Sequence, residues 1–221
     1  MSEIARNFED IIRQMHKAER TAGRKEGATK LIAVTKTQPR EALVAALATG
    51  HRLFGENKVQ EAQEHWADLK TQYPDIKMHL IGPLQTNKVK DAVALFDCIE
   101  TVDREKLAAA LGDEMKKQGR DMPCFIQVNT GEEEQKAGIA PRDVKEFLNY
   151  CRKECALNVT GLMCIPPVEE PPALHFALLK KIAGDCGLSE LSMGMSADFP
   201  KAIALGASHV RVGTALFGSR G

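Results

Sequence analysis

Lys36 closes the run Leu31-Ile-Ala-Val-Thr-Lys36, an apolar stretch of the kind that forms a buried strand. An amine at the C-terminal end of such a strand is suited to condense with a carbonyl, because withdrawal from water favours its uncharged, nucleophilic form. The competing reading is a lysine that snorkels from the strand mouth into solvent, and this segment alone leaves the two even. Two later segments bear on the choice. Met193-Gly-Met-Ser-Ala-Asp198 and Gly213-Thr214 each follow an apolar run and are small and hydroxyl-bearing, so their backbone N–H groups can face an anion. Taken singly, each is more simply a helix cap. Placed on one face with a strand-end lysine, they favour a binding site.

Other chemistries have weaker support. The six cysteines, Cys98, Cys124, Cys151, Cys155, Cys164 and Cys186, are scattered through 221 residues. A chain of that length needs no disulfide staples, so the usage fits a reducing cytoplasm. Cys151 and Cys155 lie four apart, but no second pair with zinc-like spacing accompanies them. Acidic and basic side chains number 30 each, so no global charge draws the chain to nucleic acid or to a membrane surface. The N-terminus has apolar residues at Ile4, Phe8, Ile11, Ile12 and Met15 among charges, which predicts a helix covering a core rather than a signal peptide. No apolar stretch is long enough to span a bilayer.

The elements that must position Lys36 alternate regularly. Apolar runs predict strands at Leu31–Lys36, Leu53–Glu56, Lys77–Ile81, Cys98–Val102, Phe125–Asn129, Val159–Ile165, Glu190–Gly194 and His209–Gly213. Helical periodicity fills the intervals at Arg40–Ala48, Val59–Leu69, Lys88–Phe96, Arg104–Lys117, Pro141–Glu154, Ala173–Asp185 and Phe199–Leu205. Asp103 reads as an N-cap, Pro141 as a first-turn proline, and Gly50, Gly119, Gly187 and Gly206 as C-terminal punctuation. Strict alternation gives a parallel sheet, and eight repeats close into a single-domain (β/α)8 TIM barrel, α/β in class, over residues 1–221 with an extra N-terminal helix. The rival doubly wound sheet would carry a glycine-rich turn after its first strand, where this chain has Thr37-Gln38-Pro39.

A barrel gathers its active site at the C-terminal strand ends, with phosphate groups after strands seven and eight. Lys36 ends the first strand, Glu56-Asn57-Lys58 the second, and Gly82-Pro-Leu-Gln-Thr-Asn-Lys88 follows the third. The two small-residue turns follow strands seven and eight.

Five blocks in this order, Ala33-Val-Thr-Lys36-Thr, Phe54-Gly-Glu-Asn57-Lys-Val-Gln-Glu61, His79-Leu-Ile-Gly82-Pro-Leu-Gln-Thr-Asn87-Lys88, Leu191-Ser-Met-Gly-Met-Ser196-Ala-Asp198 and Val210-Arg211-Val-Gly213-Thr214-Ala-Leu-Phe-Gly218, resemble the YggS/PROSC family of pyridoxal phosphate (PLP) homeostasis proteins. The resemblance implies a barrel like the N-terminal part of alanine racemase, with pyridoxal 5'-phosphate held as a Schiff base on Lys36. It further implies that Ser196, Gly213 and Thr214 hold the phosphate, with Met195 also at the cofactor, Arg211 at the pyridine nitrogen and Asn57 and His79 lining the pocket. An arginine there keeps its proton, so the cofactor would be a weakened electron sink. Racemisation needs a second acid/base group, and Tyr73 and Tyr150, the only tyrosines, fall away from the expected mouth. With the chain ending at Gly221, directly after the eighth strand's turn, the expected role is a monomeric, non-catalytic PLP carrier in vitamin B6 and amino-acid balance. PLP-requiring apoenzymes are the expected partners. A small PLP-dependent amino-acid racemase is the alternative.

Overall fold

The computed structural model describes residues 2–218. Eight parallel strands close into a barrel in chain order: β1 (Lys30–Val34), β2 (Leu53–Glu56), β3 (Lys77–Leu80), β4 (Cys98–Val102), β5 (Cys124–Val128), β6 (Val159–Cys164), β7 (Glu190–Ser192) and β8 (His209–Val212). Closure is made by β8 on β1, with Lys30 opposite His209, Ile32 opposite Arg211 and Ala33 opposite Val212. This register carries Lys36 and Gly213-Thr214 to the same rim. The single-domain expectation extends over residue 1 and residues 219–221, which lie outside the described residues.

The expected strands are all present; β2 and β4 end where expected and the other six stop one or two residues earlier. Lys36 lies two residues beyond β1 and directly before Thr37, whose φ of 61° turns the chain away. Similarly, β7 stops at Ser192 because Gly194 turns the chain at φ 92°. A Cβ there would lie 2.5 Å from the Ala202 Cβ, so only glycine fits. One cap expectation is corrected: α5 (Glu105–Gln118) starts one residue after Arg104, which occupies the N-cap position without a side-chain bond. Asp103 instead pairs with the Arg104 guanidinium.

Two packing layers follow from strand alternation. Outward residues such as Phe54, Met78, Leu80, Ile99, Ile126 and Leu191 join the main core beneath the helices, where Trp66 of α3 (Val59–Gln72) is fully buried. Full burial of side chains of this size contributes about 1.5–3 kcal/mol each. Inward residues fill the barrel. Gly55 leaves space there for Ile32 and Ile81, since a Cβ on it would meet Ile32 Cγ2 at 2.7 Å. Cys98, Phe125 and Met163 form a separate buried cluster inside.

The extra helix α1 (Glu3–Thr21) is capped by Ser2, whose hydroxyl accepts from Ala5 N at 3.2 Å. It packs Phe8, Ile11 and Met15 against the barrel and lies on α8 (Phe199–Ala204) and α9 (Thr214–Phe217). Asn7 Nδ2 donates to Leu216 O at 2.9 Å, and Arg24 Nη1 donates to Ile203 O at 2.8 Å. Both bonds brace the short helices that follow the seventh- and eighth-strand turns.

Candidate functional site

A cavity of about 320 Å³ opens at the C-terminal mouth of the barrel. Its lining brings together Lys36, Asn57, Met195, Ser196, Arg211, Gly213 and Thr214, seven of the eight residues expected for the site. The lysine is half-buried rather than enclosed. Its turn is held by two carboxylates from the next βα unit. Glu61 accepts from the Thr37 N–H, and Glu56 Oε1 accepts from Thr35 Oγ1 at 2.7 Å. Glu56 is fully buried and also accepts from Trp66 Nε1 at 3.0 Å. Burial, aided by the Glu61 charge, pushes its carboxyl above the ordinary value despite those two bonds.

The two turns opposite Lys36 form a cup. Met195 N–H is taken by Asp198 Oδ1 at 2.6 Å, and Ala215 N–H by Ser196 Oγ at 3.3 Å, which ties one turn to the other. The N–H groups of Ser196, Ala197 and Thr214 have no intramolecular acceptor among the described residues. Converging donors with two hydroxyls suit a phosphate, and a Cβ on Gly213 would press on Val34 at 3.3 Å, so the backbone there is unobstructed only with glycine. Asn57 reaches the rim because Gly82 admits its backbone; a Cβ on Gly82 would lie 2.3 Å from Asn57 O.

Arg211 forms part of the lining from below and is 4% exposed. Nη2 donates to Cys164 O at 2.8 Å and Nη1 to Ser192 Oγ at 2.7 Å. The Ser192 hydroxyl in turn donates to Glu100 Oε2 at 2.6 Å, and His79 Nδ1 meets Glu100 Oε1 at 2.7 Å. Burial pushes the Glu100 carboxyl up, but the His79 bond and the charges of His79, Arg211 and His209 outweigh it, so Glu100 is held below its ordinary value.

His79, the eighth expected residue, is not part of this lining. It points into the barrel two residues below Ile81, and alternation sets it at the level of Glu100 and of His209, whose ring centroid is 5.7 Å away. It borders a second, basal cavity of about 770 Å³ that includes Lys30, Arg52, Lys77, Arg120 and His209. Mouth residues missed from sequence are Val34, Gln38, Ile81, Ile165, Ala197 and Gly218. Val34 and Ile81 were legible from period-two alternation, since they share a face with Lys36 and His79 respectively. Glu100 was signalled too, as a carboxylate in the middle of the apolar strand Cys98-Ile-Glu-Thr-Val102.

The sequence from residue 7 to residue 221 matches the family described as alanine racemase, N-terminal domain. The chain belongs to this family. It is 40% identical to the pyridoxal phosphate homeostasis protein of Pseudomonas aeruginosa over 228 residues, spanning 100% of this chain and 97% of that one. Among solved structures it is similar to PipY of Synechococcus elongatus with PLP bound, at 36% identity and a TM-score of 0.79, covering 92% of this chain and 100% of that one. An alanine racemase from Clostridium difficile 630 shares the fold at 15% identity and a TM-score of 0.70. The match covers 96% of this chain but 57% of the racemase. The remaining length of the racemase lies outside the match.

Proposed function

We propose that this protein holds pyridoxal 5'-phosphate as a Schiff base on Lys36 at the barrel mouth and serves intracellular PLP homeostasis without turning over a substrate. The observation that carries the reading is the convergence, in one cavity, of a strand-end amine, a cup of free N–H groups and a buried guanidinium. Bound there, PLP supplies an aldehyde that condenses with an amine, losing water, and a phosphate that is largely dianionic near neutral pH. Each matches a group of this chain. Lys36 offers the amine. Ser196, Thr214 and the N–H groups beside them hold the phosphate, with Met195 and Gly213 shaping the cup. Arg211 would face the ring nitrogen as a donor that does not give up its proton, and Asn57 would border the ring. A volume near 300 Å³ is that of a small-ligand site.

A carrier role is supported by the ionisable groups of the lining, which among the described residues are Lys36 and Arg211. Racemisation needs a proton donor on the face opposite the lysine, and an arginine is a poor one. The curated relatives named for PLP homeostasis support the same reading. Cys98, Cys124, Cys151, Cys155 and Cys164 are buried free thiols, in keeping with a reducing cytoplasm.

The test is the visible absorption spectrum of the purified chain with added PLP, before and after borohydride reduction, followed by mass mapping. A band that moves on reduction, with the adduct on Lys36, upholds the site; an adduct spread over surface lysines refutes it. Incubating the loaded protein with single amino acid enantiomers then separates carrier from racemase. Robust inversion that depends on Lys36 would refute the carrier reading, and transfer of PLP to an apoenzyme would support it.

A further inference from the structure

The barrel interior carries a buried ionic chain among the apolar side chains that usually fill it. Glu100 on β4, Ser192 on β7 and Arg211 on β8 are 0%, 0% and 4% exposed. The Ser192 hydroxyl is interposed between the two charges, accepting from Arg211 Nη1 at 2.7 Å and donating to Glu100 Oε2 at 2.6 Å. No direct Arg211–Glu100 ion pair forms. His79 holds the other carboxylate oxygen, and Cys164 O holds Nη2. Buried charges are costly unless paired, so an arrangement that keeps two of them one hydroxyl apart calls for a reason.

The reason lies in where the guanidinium ends up. At low effective dielectric the attraction between Glu100 and Arg211 is strong, and direct contact would draw the arginine down into the barrel, away from the mouth cavity. The interposed hydroxyl stops that movement while keeping the carboxylate close enough to neutralise the arginine. We propose that Ser192 and Glu100 are positioning residues: the serine spaces Arg211 off the carboxylate and so sets the guanidinium at the cavity floor, at the height where a bound ring meets it. The proposal rests on the reading that PLP occupies that cavity.

The experiment compares PLP uptake and the position of the visible band in the full chain for wild type, Ser192→Ala, Glu100→Gln and the double variant, with the apo melting temperature as a check on folding. Ser192→Ala frees Arg211 to collapse onto Glu100, so PLP affinity falls about tenfold, the scale of one lost hydrogen bond to a charged group, and the band shifts. Adding Glu100→Gln removes the pull and restores affinity to within about threefold of wild type, although it removes a further buried bond. That recovery is the result a merely structural role does not give. If Ser192→Ala does not fold, Ser192→Cys, similar in size but a weak donor, takes its place in the cycle. A Ser192→Ala variant that binds PLP with wild-type affinity and spectrum overturns the proposal, as does a double variant no better than Ser192→Ala. Failure of the wild type itself to take up PLP on Lys36 instead overturns the functional reading on which the proposal stands.

Discussion

Two lysines flank β1, one at each end, and the pair separates two uses of the same side chain. Lys30 opens the strand at the base and Lys36 lies just past its end at the mouth. The basal cavity is more than twice the volume of the upper one and is lined by more cations. Yet its charges are largely spent within the fold. Arg52 donates to Asp75 Oδ2 at 2.8 Å and to Leu47 O at 3.0 Å, closing the end of α2 (Arg40–Ala48). Arg120 donates to Val93 O beneath α4 (Val89–Leu95), and Lys77 lies 3.6 Å from Asp97, which also pairs with Lys70. At the mouth the backbone donors are left unspent. Cavity size therefore points to the wrong end of this barrel, and unsatisfied donors point to the other.

The largest effect expected at the mouth is all or none. Lys36→Ala removes the one amine lining the cavity, so the borohydride-reducible adduct disappears while the apo fold persists, because a half-buried lysine past the strand end contributes little packing. Mass mapping of the reduced protein checks it. An undiminished adduct in the variant would place the chemistry on another lysine and break the contrast at its root.

The strand-end position of Lys36, the barrel and the two turns that meet Lys36 in one cavity were legible in sequence for one reason: all three depend on periodicity and punctuation, which are local. Alternating runs fix which face a residue takes, and Gly194 and Gly213 mark where a turn must be tight. What was not legible is height within the barrel. His79 and Arg211 both face inward, yet one is bordered by the base and the other by the mouth, because β3 and β8 enter the barrel at different levels. Shear of that kind is a property of the closed sheet. The same limit hid Ser192, whose partner Glu100 lies 92 residues away. Asp103 failed differently: a guanidinium next to it competed successfully for the carboxylate that would have capped α5.

The base makes its own prediction. Burial holds the His209 imidazole down at about 4, against an ordinary 6.5, with the Glu100 charge opposing in part. The unfolded chain therefore binds a proton at this residue before the native chain does, and stability is lost as pH falls from 6.5 towards 4. The loss from this one group reaches about 3 kcal/mol at most. Urea midpoints measured from about pH 8 down to about pH 4 should drop less steeply in His209→Gln than in wild type. Equal slopes would mean that the ring is protonated in the native base, which would make that cavity a charged site after all.

Between the two ends lies the contact that sets Asn57 at the rim. Gly82→Ala places a Cβ 2.3 Å from Asn57 O, against backbone that has no side-chain freedom with which to yield. A cost of about 2 kcal/mol is expected, with weakened PLP retention, since the β2–α3 turn must move. Gly184 lies in α7 (Pro172–Asp185) with open space around it, so Gly184→Ala is its control. A stabilised or neutral Gly184→Ala beside a destabilised Gly82→Ala would assign the effect to the close approach rather than to glycine as such.

The smallest effect sharpens the comparison most. Lys30 is exposed, has no ion pair among the described residues and opens the strand that Lys36 follows, so Lys30→Ala removes an amine from the opposite end of the barrel and is the control for Lys36→Ala. An exposed lysine of this kind contributes within about 0.5 kcal/mol to stability. PLP uptake, band position and the site of the reduced adduct should all equal those of wild type. A lowered PLP affinity in Lys30→Ala would show that the base communicates with the mouth, and the route would run through His79 and Glu100, the side chains that connect the basal cavity to Arg211. Unchanged uptake would leave the base as the end that holds the barrel together and the mouth as the end that uses it.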